Sequence, residues 1–209
     1  MEHLPLFPQH VYKFKCTNHD KIKEHLMKFV LPTFEKSEPN GGSQSIFTDY
    51  IPGTGAMVNW KFVHSLFLPD INKALTHIGF NMNDWNLRQR SWYNFSTDNQ
   101  NEWKHDHVGG SSTISWSYVH YTHLEEENAG TIFFNPDNQN LRSFCPTKDL
   151  AYLPNMYLHE REQPKVEEGD IILFPSWLKH SSPAHKENKL RVTIATNLML
   201  KTPNDTDGY

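Results

Sequence analysis

The spacing of hydrophobic positions changes near residue 85, and the change divides the chain into two kinds of structure. Before it, apolar residues recur at helical intervals. Ile22, Leu26, Phe29 and Val30 form one stripe, with Asn18 or Asp20 as the candidate cap and Pro32 expected to end the helix. A second helical region runs from about Asn59 to Ile78 with an expected break at Pro69. Its last piece carries Ile71, Leu75 and Ile78 and stops at Gly79. Both stripes read as core packing. Residues 10–16 alternate as an edge or entry strand would, 35–45 is a loop by composition, and 45–50 predicts a short strand.

After residue 85 the period drops to two. Residues 85–95, 103–107, 112–122, 130–136, 171–174 and 190–198 all read as strands, rich in aromatic and β-branched residues. Pro175, Pro183 and the polar 185–189 segment supply turn chemistry between the last two. The connection over 137–166 is long and irregular. Its apolar residues (Leu150, Tyr152, Leu153, Met156 and Tyr157) are too many for a disordered linker. Helices followed by many short strands predict a mainly β fold, a β-sandwich or jelly roll braced by N-terminal helices. At 209 residues a single domain is expected over 1–209, with 1–84 as the helical bracing region and 85–200 as the jelly-roll core.

Composition narrows the function more than the fold. A net charge of −4 with no cluster of Lys or Arg argues against a nucleic-acid partner. Cys16 and Cys145 form neither a zinc-type pair nor a disulfide framework, which suits a reducing compartment. The first residues lack the basic and apolar regions of a signal peptide, and no window reaches a membrane span. A cytoplasmic protein without a membrane partner is expected. Thirteen histidines against two cysteines make imidazole the metal ligand to look for.

His105-Asp106-His107 is the first candidate. Alternate residues of a strand point to one side, so His105 and His107 can aim at one point while Asp106 points away. His180, after the 171–174 strand, can supply a third ligand only if the fold brings the two segments together. Arg191 opens the last strand. Alone, a His or an Arg at such a place is more often an ordinary surface or core residue; together they invite a chemical reading.

The chain resembles the 2-oxoglutarate/Fe(II)-dependent oxygenases. The resemblance is carried by Trp92-Tyr93-Asn94, His105-x-His107, Ser115-x-x-Tyr118, Ala129-Gly130-Thr131-Ile132-Phe133-Phe134-x-Pro136, the run Gly169-Asp170-Ile171-Ile172-Leu173-Phe174-Pro175-Ser176-Trp177-Leu178-x-His180, and Arg191-x-Thr193-Ile194-Ala195-x-Asn197. It covers roughly 90–198, is most specific over 169–197, and is nearest to a subgroup of marine bacteria and phages with the His-x-His and FPSWLxH motifs.

The resemblance implies a double-stranded β-helix, a distorted jelly roll, holding Fe(II) at His105, His107 and His180 with 2-oxoglutarate as cosubstrate. Arg191 would grip the distal carboxylate, for which its planar fork is suited, and Thr193 on the same side of the strand would add a hydroxyl. Asn94, Tyr118 and Tyr121 are further candidates for cosubstrate contacts. The implied activity consumes 2-oxoglutarate and O₂, releases succinate and CO₂, and hydroxylates a prime substrate, either a small molecule or a peptide. A homodimer is left open.

One departure stands out. The wider superfamily places an aspartate or glutamate two residues after the first histidine, and here His107 holds that position. Asp106 would be the ligand instead only if a β-bulge re-aimed it beside Gly109-Gly110. Two other readings remain open at this point. A cupin-like three-His iron dioxygenase without 2-oxoglutarate would have no use for Arg191, although the glutamate cupins carry after His-x-His is missing at Ser111 and Ser112. A non-catalytic jelly-roll module would grip its ligand with aromatics such as Trp116, Trp177 and Tyr152.

Overall fold

The computed structural model describes residues 10–36, 47–50, 57–97, 100–108, 114–127, 129–137, 159–184 and 189–202. Its strands are β1 (Tyr12–Lys15), β2 (Phe47–Thr48), β3 (Asn86–Ser96), β4 (Ile114–Leu124), β5 (Ile132–Phe134), β6 (Arg161–Glu162), β7 (Asp170–Pro175), β8 (His180–Ser181) and β9 (Arg191–Lys201). Helix α1 is His19–Phe34 and α2 is Trp60–Ile78. Six strands form one sheet in the order β1-β7-β4-β9-β3-β2, and three form another in the order β6-β5-β8. This is the mainly β jelly roll with N-terminal helices. The first 84 residues also supply both edge strands of the large sheet, β1 and β2.

Alternation along β9 sorts the interior into two cores. Val192, Ile194, Leu198 and Leu200 face the helices together with Tyr93, Phe95, Tyr118, Ile171 and Leu173. Ile22, Leu26 and Val30 of α1 and Val63, Phe67, Ile71 and Leu75 of α2 meet them, each stripe at four-residue steps and fully buried. Each such side chain contributes about 1.5–3 kcal/mol by leaving water. On the opposite face Val119, Tyr121, Ile172 and Phe174 pack with Phe133 of the small sheet. The candidate site lies between the sheets on that side.

The helices run further than their prolines suggested. Pro32 sits inside α1, which continues to Phe34, because a proline in the last turn forfeits one hydrogen bond and has little helix left to distort. Pro69 does not break α2. It and Ser65, whose carbonyl loses its donor, are both exposed, so water can replace the missing N–H. Phe29 leaves the predicted stripe: it is 48% exposed and stands against His25. Asn18 occupies the cap position of α1 without capping through its side chain, which donates to the Leu66 carbonyl instead. Asn59 caps α2 through Phe62 N–H, and Gly79 ends it at φ 114°, a conformation glycine adopts without penalty.

A buried histidine clamps α1 to the sheet. His120 of β4 shares a hydrogen bond with His19 at 3.1 Å, bonds Thr122 Oγ1 at 3.0 Å and lies against the Phe67 ring. Burial pushes its pKa from 6.5 down to about 3, helped by His19 and opposed by Glu168. The unfolded chain therefore takes up this proton near 6.5 and the folded one only near 3. The stabilising contribution is complete above 6.5 and is lost as the pH falls toward 3. Thermal denaturation between pH 7 and 5 should show stability falling, with His120 responsible for up to about 1.4 kcal/mol per pH unit. His120→Gln should flatten that slope; an unchanged slope would assign the pH dependence to other groups.

Candidate metal centre

Backbone pairing, rather than a continuous strand, brings the three histidines together. His105 forms a single antiparallel bridge with His180, each N–H donating to the other's carbonyl at 2.9 Å. His107 N–H donates to the Ser176 carbonyl at 2.9 Å. The strand expected over 103–107 is thus one bridge long, but the relation between positions two apart survives. The His105 and His107 rings stack at 5.2 Å with 16° between planes, and His180 lies 4.4 and 4.9 Å from them.

One ring nitrogen from each histidine lies within 4.8 Å of the other two. Their hydrogen bonds indicate which nitrogens converge. His105 Nδ1 is 2.7 Å from the Trp103 carbonyl, His180 Nδ1 is 2.8 Å from the Leu178 carbonyl, and His107 Nδ1 bonds Asn197 Oδ1. A carbonyl oxygen can only accept, so each Nδ1 carries the proton and each Nε2 keeps a lone pair. Burial also favours the neutral form, lowering His180 to about 3 and His107 below its ordinary value. Neutral imidazoles with an anchored Nδ1–H are the state a metal requires. This donor set fits a divalent transition metal such as Fe(II).

Asp106 is placed elsewhere. Its Oδ1 accepts from Val108 N–H at 3.1 Å in a local turn, and it is absent from the histidine cluster. Gly109 and Gly110, where a bulge was considered, lie outside the described residues.

The inward face of β9 presents Arg191, Thr193, Ala195 and Asn197 in succession. Thr193 is paired with Asn94 on β3 and with Tyr121 on β4, forming one row across three strands. Arg191, Thr193 and Asn94 line the same pocket as the three histidines. Arg191 is 3% exposed, donates from Nε to the Ala129 carbonyl at 3.1 Å and lies over the Tyr121 ring at 5.7 Å. Burial lowers its pKa from the ordinary arginine value, with Tyr121 and Glu102 acting in the opposite direction. No ion pair to Arg191 occurs among the described residues. Asn94 donates to Glu102 Oε1 at 3.1 Å. Tyr121 is tied by its hydroxyl to Thr131 at 2.8 Å, so it supports Arg191 from beneath.

Tyr118 also lines that pocket, but its ring and hydroxyl are turned to the other side of β4, which does not favour its candidacy for a cosubstrate contact. It occupies the opposite parity of β4 from Ser117 and Tyr121, so its ring packs on Phe67 at 5.3 Å and its hydroxyl donates to Gln89. Trp116 shares that parity and lies against Tyr12 and Phe80. Trp177 is 47% exposed, and Tyr152 lies outside the described residues. Three polar residues were not among the candidates although they touch the site: Asn197, Ser117 and Ser176, hydrogen-bonded to one another and reaching His107. Strand parity with Arg191 and Thr193 was the available signal for Asn197.

The model of a family described as "Putative 2OG-Fe(II) oxygenase" matches residues 90–197. No curated protein sequence matches the chain. Among solved structures, a Pseudomonas putida prolyl-4-hydroxylase is similar at 11% identity and TM-score 0.54, over 93% of this chain and 94% of that one. HygX from Streptomyces hygroscopicus, solved with nickel and 2-oxoglutarate bound, is similar at 12% identity and TM-score 0.54, over 91% and 82%. The viral collagen prolyl hydroxylase of Paramecium Bursaria Chlorella virus-1, a 2OG complex, matches at 12% identity and TM-score 0.50, over 91% and 96%. At these identities the likeness is one of fold.

Proposed function

Because the chain belongs to the 2OG-Fe(II) oxygenase family, we propose that His105, His107 and His180 hold its Fe(II) and that Arg191 with Thr193 holds the distal carboxylate of 2-oxoglutarate. With iron bound, 2-oxoglutarate and O₂ react to succinate and CO₂, and one oxygen atom is inserted into a C–H bond of a prime substrate, a small molecule or a peptide. The protein's own part is positional. The three imidazoles would hold the metal, Arg191 and Thr193 would set the cosubstrate's orientation, and the apolar wall of Phe174, Val119 and Ala195 would limit water.

One observation carries this reading: a buried guanidinium without an ion-pair partner among the described residues lines the pocket of the three histidines. A charge so placed is costly unless an anion joins it. A dicarboxylate reaching from the metal to Arg191 supplies that anion, whereas the cupin-like and binding-module readings leave the guanidinium only the longer-range influence of Glu102, which lines the same pocket without an ion pair to it. Anaerobic Fe(II) titration followed by 2-oxoglutarate tests the proposal. One iron per chain and a charge-transfer band that depends on 2-oxoglutarate are expected; iron binding with no response to 2-oxoglutarate would favour the cupin-like reading.

The same reading puts His107, not Asp106, at the carboxylate position. Asp106→Ala should keep its iron, and His107→Asp, which rebuilds a two-histidine, one-carboxylate set, should retain iron and 2-oxoglutarate decarboxylation. Iron content of the purified variants decides. Loss of iron in Asp106→Ala with normal iron in His107→Ala would reverse the assignment.

A further inference from the structure

We propose that Asn197 is a positioning residue for the metal centre, holding His107 in the Nδ1–H tautomer so that Nε2 turns a lone pair, and not a proton, toward His105 and His180. The proposal rests on the three-histidine reading above and adds a residue to it. His105 and His180 have no need of such help. Each is bonded through Nδ1 to the backbone carbonyl two residues before it, a contact no side-chain substitution removes. His107 alone depends on a side chain.

The protons around Asn197 can be followed one by one. Ser117 Oγ–H donates to Asn197 Oδ1 at 2.9 Å, and His107 Nδ1–H donates to the same oxygen. Ser117 Oγ has then spent its only proton. It lies 2.9 Å from Ser176 Oγ, whose hydroxyl donates to it. Ser117, Ser176 and Asn197 are all buried, and Ser117 and Asn197 are register partners on β4 and β9. With Oδ1 facing His107, the Nδ1–H and the Ser117 hydroxyl both meet an acceptor. With the amide reversed, its NH₂ group would face Nδ1, which would have to accept, and the ring proton would move to Nε2 in the centre of the cluster. Ser117 donates to Oδ1 in the orientation that leaves the metal side of His107 open. A carboxylate in place of the neutral amide would make His107 a stronger donor.

Two measurements on the whole protein test this. In ¹⁵N-histidine spectra of the metal-free protein, wild type and Asn197→Asp should both show His107 protonated at Nδ1, and Asn197→Leu should lose that preference. In Co(II) titrations, Asn197→Leu should bind about 10–100-fold more weakly than wild type, and Asn197→Asp at least as tightly. Ser117→Ala, a smaller change, should weaken binding in the same direction and guards against a folding defect in the leucine variant. An Asn197→Leu protein with wild-type Co(II) affinity and an unchanged His107 spectrum would overturn the proposal. So would an aspartate variant weakened as much as the leucine one, which would mark Asn197 as merely structural. Failure of wild type itself to bind Co(II) would count against the three-histidine site, and the spectra would still decide what Asn197 does to His107.

Discussion

His180→Ala is expected to empty the metal site. The variant removes the most buried of the three imidazoles and leaves His105 and His107, whose rings stack against each other. Two neutral nitrogens do not retain a labile divalent iron against buffer and water, least of all in a set with no carboxylate to attract the cation. The backbone should survive the change. The bridge between positions 105 and 180 is made by main-chain N–H and carbonyl groups, which alanine keeps. What is lost apart from the ligand is ring contact with Phe174 at 4.7 Å and Phe133 at 6.2 Å, a packing defect visible as a lower melting temperature of the metal-free protein. Iron analysis of protein loaded anaerobically and freed of excess metal is the measurement. Occupancy near that of wild type would remove His180 from the site.

Arg191→Ala should spare the iron and cost the cosubstrate. No atom of Arg191 belongs to the histidine cluster, so metal content should match wild type. Loss of one partner from a buried, hydrogen-bonded charge pair costs about 2–5 kcal/mol, so the dissociation constant of 2-oxoglutarate should rise by a factor on the order of 30 to several thousand. The set of three neutral imidazoles sharpens this expectation. Without a protein carboxylate, the metal keeps its full double positive charge, and the dianionic cosubstrate answers both that charge and the guanidinium. Arg191→Lys is the companion variant. It retains the charge but not the planar fork, so it should recover only part of the affinity. Titration of the Fe(II)–2-oxoglutarate absorption band separates the outcomes, and an unchanged constant in Arg191→Ala would turn the assignment toward the cupin-like alternative.

What the sequence by itself determined follows from periodicity, which is a local property. The switch from helical to alternating spacing near residue 85 marked the mainly β architecture with helices before it. The stripes through Ile22, Leu26 and Val30 and through Ile71 and Leu75 marked faces that became core, and the structure extends the second of them back through Phe67 and Val63. The two-residue step of His105 and His107 placed both rings on one side without a regular strand, because it needs only a locally extended backbone. Prolines misled for the opposite reason: the damage from Pro32 and Pro69 depends on how much helix follows and on what the freed carbonyl meets. Tertiary structure decided everything that depends on which face of a strand meets which neighbour. Tyr118 and Tyr121 are both buried tyrosines of β4, yet one supports the helix-side core and the other the floor beneath Arg191, according to parity. Asn197, Ser117 and Ser176 come from three strand regions far apart in sequence, and only strand pairing across the large sheet makes them one hydrogen-bonded unit against His107. Spacing along the chain could put Asn197 on the face of Arg191 and Thr193, but it could not name the partners, because those contacts exist only after the sheet has formed.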